Sequence, residues 1–485
     1  MKLALSLCIK GACAVKDKCG VVGVWFDREK NRDAAAIYIY YALQALQHRG
    51  QESSGIAVTG GGNVIADKGM GLVTDYFNRD RLQRLSGFAG IGHTRYSTTG
   101  GSRIENCQPF TVQYKGGTIA LAHNGNLVNY RDLKKELEAD GRIFISDTDT
   151  EVIAHLLVKE LMRNDLVEAI RETMRKLIGS YSLVILIEDK VIGVRDPLGF
   201  KPLCIGRIDN GLILSSESCA IDTVNGELIR DVAAGEMVIL SDRIESHRLF
   251  RSRNHAHCMF EFVYFARPDS IMDGRLVYKV RHRIGEVLAE ECPTQADIVS
   301  PVPDSGITSA IGYSSASGTR YAEGMIKNRY VGRTFIMPGQ DLRETAVRLK
   351  LNTVRENVCD KEVILIDDSI VRGTTSRRII DMIRRSGARK VHARIGSPPI
   401  ISPCYLGIDM ATREELIAAH KSVKGVEFMI GADSLYYISL EGLVKSIGIP
   451  VEDLCTGCLT GVYPIEIPGE KCEVKQTRLE SFVSE

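Results

Sequence analysis

As far as residue 250 the chain is dominated by short runs in which apolar and small residues alternate between Gly, Asn and Asp turns. "TIALAHNGNLV", "YSLVILIEDKVIGVRDP" and "GLILSSES" are examples. A period of two bounded by turn residues predicts antiparallel sheet. Two stretches break the period. "DAAAIYIYYALQALQHRG" carries a helical apolar repeat, and "TDTEVIAHLLVKELMRN" opens on Thr/Asp capping signals before an amphipathic face. Sheets with helices over one face of each predict an α+β sandwich. Past the polar "SHRLFRSRNHAH" the pattern changes. "DIVSPVP", "VILIDDSI" and "VHARIGSP" are uninterrupted apolar runs separated by helical stretches such as "TSRRIIDMIRRSGA". That alternation predicts an α/β domain with a parallel, doubly wound sheet. There is no internal repeat and no low-complexity tract.

Composition narrows the class. At 485 residues the chain has room for two or three cores, and 44% hydrophobic with 25% charged residues is ordinary for a globular protein. Lys+Arg 62 against Asp+Glu 61 leaves no basic excess to attract nucleic acid or an anionic membrane surface. No stretch has the roughly 20 apolar residues of a membrane span. The opening "MKLALSLCIKGACAVKDK" fails as a secretory signal. Its apolar core barely reaches the lower bound of about 7 residues before Lys10, and charged residues stand where a cleavage site should be small. A cytoplasmic protein is expected. Its 13 cysteines are scattered, not framed as a disulfide scaffold, so some should be buried thiols and a few should have metal or catalytic roles.

The stretch with the most specific chemistry is "VILIDDSIVRGTTS", Val363–Ser376. An apolar strand ends in Asp367 and Asp368, and the loop Arg372-Gly373-Thr374-Thr375-Ser376 leads into a helix. Backbone N–H groups at the positive end of that helix make a site for a phosphate dianion. Carboxylates at a strand's carboxyl end can hold ribose hydroxyls or a divalent metal. The plain alternative is an acidic strand end followed by an ordinary N-cap.

This string resembles the phosphoribosyl pyrophosphate motif of type I phosphoribosyltransferases. "VPDSG" (Val302–Gly306) and "KNRYVGRTFIMPGQ" (Lys327–Gln340) extend the resemblance to the amidophosphoribosyltransferase family. The resemblance implies that Ser305, Asp367 and Asp368 line a magnesium–pyrophosphate site. It also implies that Arg372, Gly373, Thr374, Thr375 and Ser376 bind the phosphoribosyl group, and that Lys327, Arg329 and Arg333 close over the pyrophosphate as a mobile lid. A solvated basic surface is the other reading of that loop.

In the first half, "QHRGQESSGIAV" (Gln47–Val58), "GHTRYSTTG" (Gly92–Gly100), "LAHNGNLVN" (Leu121–Asn129) and "DTEVIAH" (Asp149–His155) occur in the order found in N-terminal-nucleophile glutamine amidotransferase domains. That resemblance gives meaning to "DKCGVVGVWF", in which Cys19 opens an apolar strand. A cysteine with its own free α-amino group supplies nucleophile and base together. The resemblance implies that residues 1–18 are a propeptide whose removal frees Cys19. It further implies that Asn124 and the Gly125 N–H hold the oxyanion, that Arg95 pairs with the α-carboxylate of glutamine, and that Asp149 holds its α-ammonium. His48, His93 and His123 are then structural. Taken alone, "HNGN" is a hairpin-turn signal and "CGVVG" a buried thiol.

"CTGC" (Cys455–Cys458) by itself is ambiguous among zinc, a redox pair and an iron–sulfur cluster. The family's cluster-containing group carries cysteines in contexts like "CMFEFVYFARPDS" (Cys258), "SPPIISPCYLGID" (Cys404) and "CTGCLTGVYP". That resemblance implies a [4Fe–4S] cluster on Cys258, Cys404, Cys455 and Cys458, tying the C-terminal tail to the transferase core. Zinc on the same thiols is the alternative.

The expectation is therefore an N-terminal-nucleophile sandwich over 19–250, a type I phosphoribosyltransferase domain over 251–450, and a cysteine-bearing tail over 451–485. The expected activity is glutamine-dependent synthesis of 5-phosphoribosylamine, the first committed step of purine synthesis. The resemblance also implies purine nucleotide inhibitors and a homotetramer. Two rivals are an aminosugar-phosphate synthase sharing the glutaminase half and a non-enzymatic regulator on a phosphoribosyltransferase fold.

Overall fold

The computed structural model describes residues 19–96, 101–328, 351–408 and 412–469. The expected leader 1–18, Arg329, Arg333 and the end of the tail from residue 470 lie outside the described residues. By contact the chain forms two compact units. Among the described residues, one gathers those of 19–279, 403–408 and 447–469; the other gathers those of 280–402 and 412–446.

The first unit contains two antiparallel sheets. Seven strands run in the order Glu227–Asp231, Cys204–Ile208, Gly211–Ser215, Gly20–Phe26, Ala89–Arg95, Ser53–Thr59, Val64–Met70. Six more run Ile244–Arg248, Glu236–Leu240, Lys190–Arg195, Gly179–Ile187, Gly117–Leu127, Phe110–Tyr114. The alternation read from the sequence divides the second sheet's side chains between two cores. Ala120, Ala122, Val184 and Leu186 join the core shared with the first sheet. Ile119, Leu121, Leu183 and Ile185 join helices Asp149–Leu161 and Leu166–Lys176 on the other face. Gly23 of the first sheet faces the second closely, since a Cβ there would stand 2.7 Å from Val184. Helix Ala35–Ala45 covers the first sheet with Ala35, Ile39, Ala42 and Leu43. It lies close enough that a Cβ on Gly92 would stand 2.3 Å from Ile39.

The second unit holds a four-stranded parallel sheet in the order Ile298–Pro301, Glu362–Asp367, Lys390–Ile395, Ser434–Tyr437. Residues 363–366 are all buried, as a strand covered on both faces requires. The fourth strand, four residues long, is too short for its period to be read from the sequence. Helix Thr374–Arg385 follows the second strand and buries Ile379, Ile380 and Ile383. No helix among the described residues is long and apolar enough to cross a membrane.

Candidate active sites

Cys19 stands immediately before Gly20–Phe26, the central strand of the seven-stranded sheet. Its Sγ donates to the Tyr96 carbonyl at 3.6 Å, and its own carbonyl accepts from Arg49 Nε at 3.2 Å. Burial pushes the thiol pKa up. The Tyr96 contact and Arg95 pull it down, while Asp149 and Glu52 push it up, so the proposed glutamine-binding pair lies within electrostatic reach of Cys19.

Arg95 ends strand Ala89–Arg95, buried, with its guanidinium on the Gly101 carbonyl at 3.3 Å and Glu52 at 3.8 Å. Asp149 opens helix Asp149–Leu161. Its carboxylate accepts from Leu127 N at 3.0 Å and lies 3.5 Å from His123 Nδ1. Burial raises this carboxyl, but His123 and the backbone donors of Leu127 and Thr150 outweigh it and hold the pKa below the usual range.

Asn124 and Gly125 lie on strand Gly117–Leu127 opposite Ser182 and Tyr181. The Asn124 amide is buried, and neither Oδ1 nor Nδ2 has a hydrogen-bond partner. Buried polar groups are nearly always satisfied, so this amide has hydrogen-bonding capacity that the described residues do not use. Gly125 cannot be larger, because a Cβ there would meet the Ser180 carbonyl at 2.0 Å.

The three histidines have partners of their own. His48 bonds Glu217 at 2.8 Å, His93 bonds the His123 carbonyl at 3.1 Å, and His123 faces Asp149 and Thr150. Burial drops His93 to about 3, which keeps it neutral.

Sequence reasoning did not single out Arg49, although it lies inside the quoted Gln47–Val58 string. Its guanidinium is fully buried between Glu217 and Glu261, with Glu261 at 3.1 Å, while Nε holds the Cys19 carbonyl. No local signal marked it: Arg49 lies in the turn that follows helix Ala35–Ala45.

In the second unit, Ser305, Asp367 and Asp368 come together. The Ser305 hydroxyl bonds Asp368, Ser369 Oγ donates to it at 2.5 Å, and Asp368 N donates to Asp367 at 2.9 Å. Burial raises both acids, Asp367 further through Asp368 beside it; Ser305, Ser369 and the nearby Arg281 partly oppose the rise for Asp368. Arg281, buried, was not legible as a site residue.

Gly373 has φ +73, a conformation that glycine adopts without strain, and precedes helix Thr374–Arg385 with no side-chain cap. The first-turn N–H groups of that helix therefore have no capping side chain. Thr374 and Thr375 are exposed and Ser376 is buried. Arg372 pairs with Glu415 at 2.9 Å, and Lys327 with Asp304 at 2.6 Å.

The four cysteines of the expected cluster all fall in the first contact unit. They come from three separate segments of the sequence within that unit. Cys258 and Cys455 are register partners in a short parallel pair. With Cys404, Cys458, Lys201 and Tyr463 they line one cavity. Burial, then the neighbouring thiols, raises Cys455 to about 12 and Cys458 likewise upward. Among the described residues no three His, Cys, Asp or Glu are grouped for a single metal ion.

A family model for a glutamine amidotransferase domain matches residues 93–223. Over 459 residues the chain is 56% identical to an amidophosphoribosyltransferase of Archaeoglobus fulgidus, taking in 94% of this chain and 100% of the relative. An amidophosphoribosyltransferase of Bacillus subtilis is 47% identical over 465 residues, 95% of this chain and 96% of the relative. Among solved structures, the glutamine phosphoribosylpyrophosphate amidotransferase of Bacillus subtilis complexed with ADP and GMP matches with a TM-score of 0.86 at 45% identity. It covers 93% of this chain and 98% of that one. A structure described as the allosteric regulatory enzyme of purine biosynthesis matches with a TM-score of 0.87 at 46% identity, covering 93% and 97%.

Proposed function

Because the chain belongs to the amidophosphoribosyltransferase family, it catalyses glutamine-dependent synthesis of 5-phosphoribosylamine, and we propose that Cys19 releases the ammonia while the Asp367–Ser376 site uses it. Removal of residues 1–18 gives Cys19 a free amine with a pKa of about 7.7–8.0, suited to accept the thiol proton. The thiolate attacks the glutamine amide carbon, Asn124 Nδ2 and the Gly125 N–H receive the oxyanion, and the ammonium returns its proton to the leaving ammonia. Water then releases glutamate from the thioester. Arg95 and Asp149 fix the amino-acid end of glutamine. What supports this reading most is the buried, unpartnered Asn124 amide, since a donor left unpaired in the ground state is complementary to charge that develops later.

At the second site, ammonia displaces pyrophosphate from the ribose C1. The loop Arg372, Gly373, Thr374, Thr375 and Ser376 holds the 5-phosphate at the helix N-terminus. Asp367 and Asp368 hold ribose hydroxyls and, with Ser305, would hold a magnesium ion, which when bound would supply charge neutralisation for the leaving group. Lys327, Arg329 and Arg333 add positive charge over the pyrophosphate.

The donor set of the thiol cavity fits a [4Fe–4S] cluster, because Cys258, Cys404, Cys455 and Cys458 share its wall. A cluster there, when bound, supplies cross-links between distant segments. Inhibition by purine nucleotides, assembly as a homotetramer and a cytoplasmic location belong to the same proposal.

The test is Cys19→Ala, assayed for pyrophosphate release with glutamine and with ammonium salts. Glutamine-dependent synthesis should vanish and ammonia-dependent synthesis should persist. Failure of ammonia to support the variant would overturn the two-site division.

A further inference from the structure

We infer that the segment Pro403–Ile408 is a strap that holds the oxyanion donors of the glutaminase site in place, which makes Asn126 and Ser180 positioning residues for glutamine hydrolysis. The inference rests on the assignment of Asn124 and Gly125 as oxyanion donors, and all of its contacts lie within the first unit.

Strand Gly117–Leu127 has neighbours on both sides only as far as Leu121, where its pairing with Phe110–Tyr114 stops. From Ala122 to Leu127 its strand partner among the described residues is Gly179–Ile187 alone. Asn124 and Gly125 therefore sit where the sheet constrains the backbone from one side. The strap supplies further constraint. Asn126 Nδ2 donates to the Tyr405 carbonyl at 2.8 Å, across 279 residues of sequence. Ser180 Oγ, fully buried, donates to the Leu406 carbonyl at 2.8 Å and accepts from Asn126 N at 3.2 Å. Asn126 and Ser180 are register partners, so both strands of the pair are fastened at one point. Gly407 then packs directly on Gly125. A Cβ on Gly407 would stand 3.0 Å from the Gly125 carbonyl carbon and 3.2 Å from its Cα.

The strap is itself anchored away from the site. The Tyr463 hydroxyl donates to the Pro403 carbonyl, and the Tyr405 and Tyr463 rings meet edge-on at 5.3 Å. Cys404, Leu406 and Ile408 line the thiol cavity. An oxyanion donor acts at 2.7–3.1 Å from the developing charge, and a misplacement of about 1 Å lowers a rate by up to about a hundredfold. Glutamine's own carboxylate and ammonium are held by other residues, Arg95 and Asp149. Loosening the strap should therefore lower kcat and spare KM.

The experiment uses the mature full chain carrying Asn126→Ala, Ser180→Ala or Gly407→Ala, with Asn124→Ala in parallel. Each strap variant should lower kcat for glutamine hydrolysis about tenfold or more with KM changed less than about twofold, and ammonia-dependent synthesis should be kept. An aldehyde analogue of glutamine must form a tetrahedral adduct on Cys19 and so needs the oxyanion donors. Its affinity should weaken about tenfold, while that of glutamate, which forms no adduct, should not change. If Asn124→Ala lowers kcat and the three strap variants do not, the strap inference is wrong. Equal loss of aldehyde and glutamate affinity, or matching loss of ammonia-dependent synthesis, would reduce these contacts to general structure and also overturn it. Full glutaminase activity in Asn124→Ala would remove the oxyanion assignment itself.

Discussion

Arg49→Met tests the buried ion cluster behind the nucleophile. The wild-type guanidinium side chain is wholly inaccessible; Glu217 is equally buried and Glu261 nearly so. Deleting the cation leaves two carboxylates that solvent does not reach, each without its Arg49 partner. Glu217 keeps His48 at 2.8 Å, Ser270 at 2.7 Å and the Arg267 N–H at 2.9 Å, whereas Glu261 loses a two-nitrogen fork at 3.1 Å. Breaking a buried pair by removing one partner costs about 3–5 kcal/mol. For a unit of this size roughly 2 °C of melting temperature corresponds to each kcal/mol, so the first unit should melt about 6–10 °C lower. Thermal unfolding followed by circular dichroism reads that directly. Glutaminase activity should fall as well, because the Cys19 carbonyl loses its Arg49 donor at 3.2 Å. The triple variant Arg49→Met, Glu217→Gln, Glu261→Gln separates the two effects. Neutralising the stranded acids should recover much of the stability, but it cannot restore the lost donor. A melting shift below about 2 °C for Arg49→Met would show that the cluster is not held by this ion pairing. Wild-type glutaminase activity in the triple variant would show that Arg49 does not position Cys19.

Asp367→Asn should abolish synthesis with either nitrogen source yet stabilise the magnesium-free protein at pH 8. Burial and the neighbouring acid raise these carboxyls, so the charged pair opposes folding once pH passes their folded pKa, and denaturant unfolding at pH 8 should show the gain. His93 is held at about 3 by burial, below its ordinary value of about 6.5. Its contribution to stability is thus complete above pH 6.5 and declines from there toward pH 3, by at most about 1.4 kcal/mol per pH unit. His93→Gln should flatten that part of a melting-temperature profile. Protein purified without oxygen should be brown with about four irons per chain. Cys455→Ser should lower both iron content and stability, and Cys292→Ser should leave iron unchanged. Stoichiometric zinc without iron in metal analysis would replace the cluster with a zinc site.

The parts legible from the amino-acid order are those whose physics is contiguous. Val363–Ser376 carries a buried strand, two acids at its end, a glycine with positive φ and a helix start within fourteen consecutive positions, so its strand–turn–helix form could be recognised before any fold was known. The period-two runs likewise marked the strands Gly117–Leu127 and Gly179–Ile187, and the helical repeats marked Ala35–Ala45 and Asp149–Leu161, because which face of an element avoids water is written at its own spacing. Partnership between distant elements is not written that way. Arg49 meets Glu217 and Glu261 across 168 and 212 residues. Asn126 meets Tyr405 across 279, and the stretch 403–408 joins the unit of the N-terminal sheets although it lies far downstream in the chain. Nothing local distinguishes Arg49 from a surface arginine, or Ser180 from any small residue in a strand. A charge or hydroxyl can be buried only where the closed fold supplies a partner for it, so its role was decided when the sheets stacked and brought that partner within hydrogen-bonding distance.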